Sequence, residues 1–275
     1  MSHAEELKKG ERFEFGANWT RFLSVLDDER IEEAKKSLQK MLGVEHLQGK
    51  SLIDVGSGSG LFSLAARMLG ATVHSFDYDP KSVACTRELR KRYFTDDPQW
   101  AVEEGSALDP TYLQGLGSFD IVYSWGVLHH TGQMNQALDN VVPLAKPGGL
   151  LFIAIYNDQG GTSRRWTKVK KLYCSGLPGR VLTRLVFYPY FAAGRLLADF
   201  IKGRNPLTSY AAYKSSRGMS VVHDWEDWLG GYPFEVAKPE DIFERYQRHG
   251  FDLLRLKTCA GGLGCNEFVF RRLGE

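Results

Sequence analysis

The segment Asp54-Val55-Gly56-Ser57-Gly58-Ser59-Gly60 constrains this chain most. It closes one short apolar run and opens another. Glycines at alternate positions let the backbone turn sharply and approach a ligand closely. Ser51–Val55 reads as a buried strand and Leu61–Leu69 as a helix, whose N-terminus would present N–H groups to whatever the loop holds. A strand, a glycine turn and a helix in this order begin a parallel α/β sheet.

The rhythm continues downstream. Thr72–Phe76 predicts a second strand, Lys81–Tyr93 a charged amphipathic helix, Trp100–Glu103 a weak third strand and Phe119–Ser124 a fourth. Gln133–Ala145 reads as a helix ending at the turn Lys146-Pro147-Gly148-Gly149. Leu150–Tyr156 is apolar throughout, as in a strand buried on both faces. After Tyr156 the alternation stops. It returns with a helix over Glu240–His249 and two strands, Phe251–Thr258 and Asn266–Phe270. Upstream, apolar spacing predicts one helix over about 21–42 behind a polar leader containing Phe13, Phe15 and Trp19. Four parts are expected: 1–44, an N-terminal lid or helical segment; 45–156, the ligand-binding core; 157–235, an inserted cap forming the substrate region; and 236–275, which completes the core.

The loop discriminates among ligands. A dinucleotide fingerprint places its third glycine where this chain has Leu61, and Asp54 would repel a pyrophosphate. No Lys-Ser/Thr follows the glycines, so the loop is not a P-loop. Gly43…Gly49-Lys50-Ser51 imitates one, but with the wrong spacing and ahead of a strand. A carboxylate at 54 suits an ammonium group, which S-adenosylmethionine carries. Asp77, at the end of the second strand, is placed to accept both hydroxyls of a ribose. Asp79 is a weaker candidate for that role, with Pro80 well placed to start the next helix. Tyr78 either packs on an adenine or lies on the surface.

Composition narrows the class. A net charge of +2 gives no global field for nucleic acid. Four cysteines without a CxxC pair argue against a zinc ribbon or a disulfide-stapled fold, and no metal is expected. The stretch MSHAEELKKGERFEF lacks an apolar leader and no run is long enough to span a bilayer, so a cytoplasmic chain is expected.

Asp54–Gly60, Asp77, the segment Glu104-Gly105-Ser106-Ala107-Leu108-Asp109, Phe119-Asp120-Ile121-Val122 and Pro147-Gly148-Gly149 together resemble the class I S-adenosylmethionine-dependent methyltransferases, in that family's order. Within the class the arrangement is similar to the ubiquinone-biosynthesis O-methyltransferase type. The resemblance implies a doubly wound, Rossmann-like, seven-stranded sheet with its last strand antiparallel, and a large, mainly helical cap insertion. It implies S-adenosylmethionine as cofactor and S-adenosylhomocysteine as product. Gly56, Ser57, Gly58 and Gly60 would cradle the methionyl part with Asp54, and Asp77 the ribose. Ser106 and Ala107 would lie along the adenine, and Trp19 would close over the cofactor or staple the first helix.

The acceptor side starts where strand four runs into Ser124-Trp125-Gly126-Val127-Leu128-His129-His130-Thr131. Ser124, Trp125 and Gly126 are expected beside the cofactor, because ligands of doubly wound sheets sit at the carboxyl ends of the strands. A neutral His there can take a proton from a hydroxyl or amine. His129 and His130 are both candidates, His129 slightly preferred, although alignment alone also promotes methyl transfer. Tyr156, Asn157, Arg217, Asp224, Trp228, Tyr232 and Asn266 are candidate acceptor contacts. A metal at His223, Asp224 and Asp227 is a minor alternative.

The insertion is basic: residues 161–204 hold ten Lys/Arg against one acid, Asp199, a net +9 in a chain of +2. Basic flanks around an apolar stretch suit an interfacial helix on an anionic membrane. A cap packed on the core and recognition of an anionic acceptor are the other readings. Pro189 is expected to kink or split the helix. The expected activity is methyl transfer, O-methylation favoured, to a small-molecule or lipid-like acceptor. The alternative is a non-catalytic adenosyl-binding module that docks on membranes or partners. The acceptor and the oligomeric state are left open.

Overall fold

The computed structural model describes residues 3–203, 205 and 221–274. In chain order the elements are α1 (His3–Lys9), α2 (Phe15–Leu23), α3 (Asp28–Leu42), β1 (Ser51–Val55), α4 (Leu61–Met68), β2 (Thr72–Asp77), α5 (Pro80–Tyr93), β3 (Trp100–Glu104), α6 (Pro110–Leu116), β4 (Phe119–Trp125), a 3₁₀ turn (Leu128–His130), α7 (Met134–Asn140) and β5 (Ala145–Tyr156). They continue with α8 (Gly161–Cys174), α9 (Leu177–Ile201), α10 (Val221–Gly230), α11 (Pro239–Arg248), β6 (Phe251–Lys257) and β7 (Cys265–Arg272).

The strands form one seven-stranded sheet in the order β3-β2-β1-β4-β5-β7-β6. β7 runs antiparallel to β5 and β6, and the pairings from β3 through β5 are parallel. This is the expected doubly wound, Rossmann-like seven-stranded sheet with its last strand antiparallel. Neighbouring positions of β1 feed opposite layers. Leu52 packs with α3, α4 and α5 residues such as Leu38, Leu64 and Leu89. Ile53 packs with Leu138 of α7 and Ile242 and Tyr246 of α11. The chain leaves β1 toward β2 and β3 on one side and later returns to β4 on the other. This reversal opens a crevice at the strands' carboxyl ends.

Two expectations are corrected. The helix expected over about 21–42 is two helices. Asp27 has extended backbone and accepts the Arg30 amide, so a cap starts α3 where continuity was expected, and α2 and α1 fill the leading segment. α9 runs unbroken through Pro189 as one 25-residue helix. α10 lies in the region after Tyr156 where the strand–helix alternation stops, and its Trp225, Trp228 and Leu229 recur at helical spacing. α8, α9 and α10 share a small aromatic core of Tyr173, Trp166, Phe187, Phe191 and Leu229. Among the described residues, no helix is long and apolar enough to cross a membrane.

Candidate active site

A cavity of about 1540 Å³ lies over the carboxyl ends of the parallel strands. Single small-molecule sites are typically about 300–1,000 Å³, so it has room for two ligands side by side. Asp54, Asp77, Trp125 and Tyr156 enter from β1, β2, β4 and β5. Helices α1 and α2 supply the roof, and Phe191, Trp225 and Trp228 come from α9 and α10.

The glycine loop forms one wall. Gly56 has φ +81°, and a Cβ there would sit 2.2 Å from Val127 Cγ1. Gly58 has φ +56° and lies under the Trp19 indole. Most of the loop amides are already engaged. Those of Gly56 and Ser57 donate to the Phe76 carbonyl at 2.9 and 3.0 Å, that of Gly60 to the Ser57 carbonyl, and that of Gly58 to Asp77 Oδ2 at 2.9 Å. The expected array of free amides is therefore largely used inside the fold, which disfavours a phosphate.

Carboxyl groups dominate instead. Asp54 is buried and accepts the Ser63 hydroxyl at 2.5 Å. Burial pushes its pKa up to about 7, helped by the charge of Asp77. Asp77 accepts the amides of Gly58 and Asp79, and burial raises its pKa to about 6. A carboxylate has about four acceptor positions, so two remain for ribose hydroxyls. The residues present thus fit a cationic adenosyl ligand. Ser57, Tyr78, Ser106, Ala107, Trp125 and Gly126 also line the cavity.

Ser124 and Gly60 lie off the cavity, and Asp79, which lines it, is engaged by the fold. Ser124 is fully buried and donates to the Val55 carbonyl at 2.9 Å, which ties β4 to β1 away from the cavity. Gly60 is the left-handed N-cap of α4, and a Cβ there would meet Thr86 at 2.9 Å, so it shapes the turn. Asp79 caps α5 through the Lys81 amide and accepts the Gly16 amide at 2.8 Å, which fixes α2 over the site.

On the acceptor side the preference between the histidines reverses. His129 is fully buried behind the wall, and its Nδ1 accepts the Tyr156 amide at 3.3 Å. Among the described residues its Nε2 has no hydrogen-bond partner, and burial holds its pKa well below the usual histidine value. His130 faces the cavity. Its Nδ1 lies 2.6 Å from the Pro233 carbonyl, and burial lowers its pKa to about 3. Tyr156 and Trp228 stand in the wall beside it, with ring centroids 6.1 Å apart. Asn157 and Asn266 hydrogen-bond each other at 3.0 Å and tie the end of β5 to the start of β7, off the cavity. Tyr232 packs into the aromatic core of the cap, and its carbonyl accepts the Phe13 amide. Arg217 and the side chains of His223, Asp224 and Asp227 lie outside the described residues. Among the described residues no cluster of metal-ligating side chains is present.

Sequence reasoning missed several residues. Arg12 donates to the His130 carbonyl at 2.9 Å and to Glu6, and lies over the Tyr78 ring, fastening the roof. Lys170 is buried, with Nζ 4.2 Å from the Trp228 ring centre. Glu235 accepts the Met134 amide and caps α7. All three act across more than 50 residues of sequence, so no local pattern announces them.

Comparisons agree with this architecture. Residues 53–151 match the methyltransferase domain family. The ubiquinone biosynthesis O-methyltransferase of Paraburkholderia xenovorans is 31% identical over 114 residues, 41% of this chain and 47% of that protein. That of Xanthomonas campestris pv. campestris is 34% identical over 113 residues, 40% and 45%. The chain spans about half the length of these relatives. Magnesium protoporphyrin IX methyltransferase from Synechocystis PCC 6803, solved with bound S-adenosylhomocysteine, superposes with a TM-score of 0.54 at 14% identity, covering 93% of this chain and 94% of that one. The [4+2]-cyclase SpnF shares the fold at the same TM-score of 0.54 and 11% identity, covering 89% and 81%. The shared sheet is thus compatible with more than one chemistry.

Proposed function

From a chain that carries the class I S-adenosylmethionine-dependent methyltransferase core, we propose an enzyme that transfers a methyl group from S-adenosylmethionine to the oxygen of a small or lipid-like acceptor. The observation that carries this reading is one cavity with two unlike halves. The loop half has most of its amides engaged and two carboxyls, the buried Asp54 and the half-buried Asp77. The other half is walled by aromatic rings, with the His130 imidazole among them.

Bound in the loop half, S-adenosylmethionine supplies an electrophilic methyl on a positively charged sulfur. Asp77 accepts the ribose hydroxyls and Asp54 pairs with the ammonium. Tyr156, Trp228 and Phe191 exclude water and hold an apolar acceptor. His130 accepts the acceptor's hydroxyl proton in a hydrogen bond. A base with a pKa of about 3 is too weak to store that proton at neutral pH, so orientation is its main contribution and the proton released on methyl transfer passes to solvent.

Titration calorimetry with S-adenosylmethionine, S-adenosylhomocysteine and NADH tests the reading. Stoichiometric binding of both adenosyl ligands and none of NADH is expected. NADH binding, or no adenosyl binding by protein freed of co-purified ligand, would overturn it. A second reading rests on the SpnF likeness: an adenosyl-binding protein whose cavity does other chemistry or none. Adenosyl binding without methylation of any hydroxylated aromatic or isoprenoid acceptor would favour it.

A further inference from the structure

We propose that the outer face of α9 docks on the surface of an anionic lipid bilayer. Every fourth residue of this helix turns inward. Gly179, Thr183 and Asp199 are buried, and Phe187 and Phe191 join the aromatic core of the cap. The outer face is apolar. Leu177 is 73% exposed, Leu185 70%, Tyr190 65%, Leu197 60%, Phe200 82% and Ile201 74%. Ten of the nineteen exposed large apolar side chains among the described residues lie on this one helix. Scattered single apolar residues need no explanation, but a continuous stripe marks an interaction face.

Charge selects the partner. Arg164, Arg165, Lys168 and Lys171 stand exposed on α8, and Lys202 follows α9. None of these five has an ion-pair partner among the described residues. The segment carries +9 at the sequence level. A symmetric contact between two copies would set two such basic hairpins together, at a cost in repulsion. An anionic bilayer takes up both the stripe and the cations, because amphipathic helices lie in the interface with apolar side chains among the acyl chains. At 1.5 Å per residue the 25 residues of α9 reach about 37 Å, lying in the plane. Phe191 of the same helix lines the cavity. The docked helix would therefore stand between the bilayer and the acceptor half of the site.

The test is co-sedimentation of the full chain with vesicles of phosphatidylcholine alone, or with one part in three phosphatidylglycerol. Binding to the anionic vesicles at low salt is expected, weakening as salt rises. Leu185→Glu/Phe200→Glu should reduce it at least about tenfold, since each side chain would carry a charge into the acyl region. Both positions are exposed, so thermal melts should match the parent; Leu177→Glu/Leu197→Glu provides an independent pair. Lys168→Glu/Lys171→Glu should weaken binding to anionic vesicles only. No binding at low salt, equal binding to both vesicle types, or wild-type binding by both apolar-face pairs would overturn the proposal. So would a dimer in sedimentation velocity that the same variants dissociate.

Discussion

The Nδ1 of His130 lies 2.6 Å from the carbonyl oxygen of Pro233, and that contact decides which face of the imidazole meets the cavity. A carbonyl only accepts, so Nδ1 carries the proton and Nε2 keeps its lone pair. The ring is thereby preset as an acceptor. His130→Ala should lower kcat by about tenfold, less than the about 10²–10⁴ of a true general base, at unchanged S-adenosylmethionine affinity. At saturating cofactor, kcat should be level from pH 6 to 8.5. An ionisation near 6.5 that disappears in the variant would refute orientation as its role.

The same burial links His130 to stability. Its folded pKa of about 3 lies below the ordinary 6.5, so the unfolded chain binds more protons between these values. Its contribution is intact above about pH 6.5 and declines as pH falls. Asp54 and Asp77, with raised values of about 7 and 6, change in the opposite sense and mask it in the parent protein. The comparison with His130→Asn removes them. Relative to the parent, the variant should gain about 1–2 kcal/mol on going from pH 7 to pH 5, measured by urea unfolding.

Cofactor binding should depend on pH through the two carboxyls. A cationic ligand with ribose hydroxyls selects their ionised forms, so affinity should rise with pH and level off above about 7.5. With Asp77 titrating near 6, binding at pH 5 should be at least about tenfold weaker than on the plateau. Calorimetry in buffers of different ionisation enthalpy should detect proton release at pH 5.5. Asp77→Ala should weaken binding about 10–100-fold, the range for losing hydrogen bonds to a charged acceptor. An unchanged Kd in that variant excludes the ribose assignment.

Gly56→Ala should abolish adenosyl binding while leaving the far-ultraviolet spectrum intact. Its φ of +81° disfavours any side chain by about 1–2 kcal/mol, and the new methyl would strike Val127. Adding Val127→Ala should relieve most of the clash, leaving only the Cβ of residue 127 at 2.9 Å, and restore part of the thermal stability, but not the backbone preference. Full recovery of binding in the double variant would show that clearance, not conformation, explains the glycine.

Arg12 holds the roof to the 3₁₀ turn that carries His130. Arg12→Ala should speed tryptic cleavage within residues 1–25 several-fold, and S-adenosylhomocysteine should restore part of the protection. Equal cleavage of the two proteins would mean that the Asp79–Gly16 contact suffices to hold the segment.

Local chemistry made part of this legible. Ser51–Val55 followed by three alternating glycines announces the central strand and its turn, and the apolar run Leu150–Tyr156 announces a strand covered on both faces. Asp54 and Asp77 reach the cavity because strand ends at a reversal of chain order must face one crevice. Adjacent histidines were not resolvable. Which one points outward depends on the tight turn over Leu128–His130 and on Pro233, about a hundred residues later. Asn157 and Asn266 looked like acceptor contacts because each is polar at a strand end. The register of β5 against β7 gives them to one another. Ser124 was misplaced for a related reason, since it is buried within the sheet layer, where its hydroxyl donates to the Val55 carbonyl of β1.

The placement of β7 has a consequence for synthesis on the ribosome. β5 pairs with it over seven residues, Leu150 to Tyr156, yet β7 is the last strand to emerge. Until then a long edge, apolar on both faces, waits unpaired while the whole cap is translated. Such an edge is a template for pairing with another chain. Chains stalled or cut before Cys265 should therefore depend on holdase chaperones, and yield in the cell should follow how fast that last strand docks.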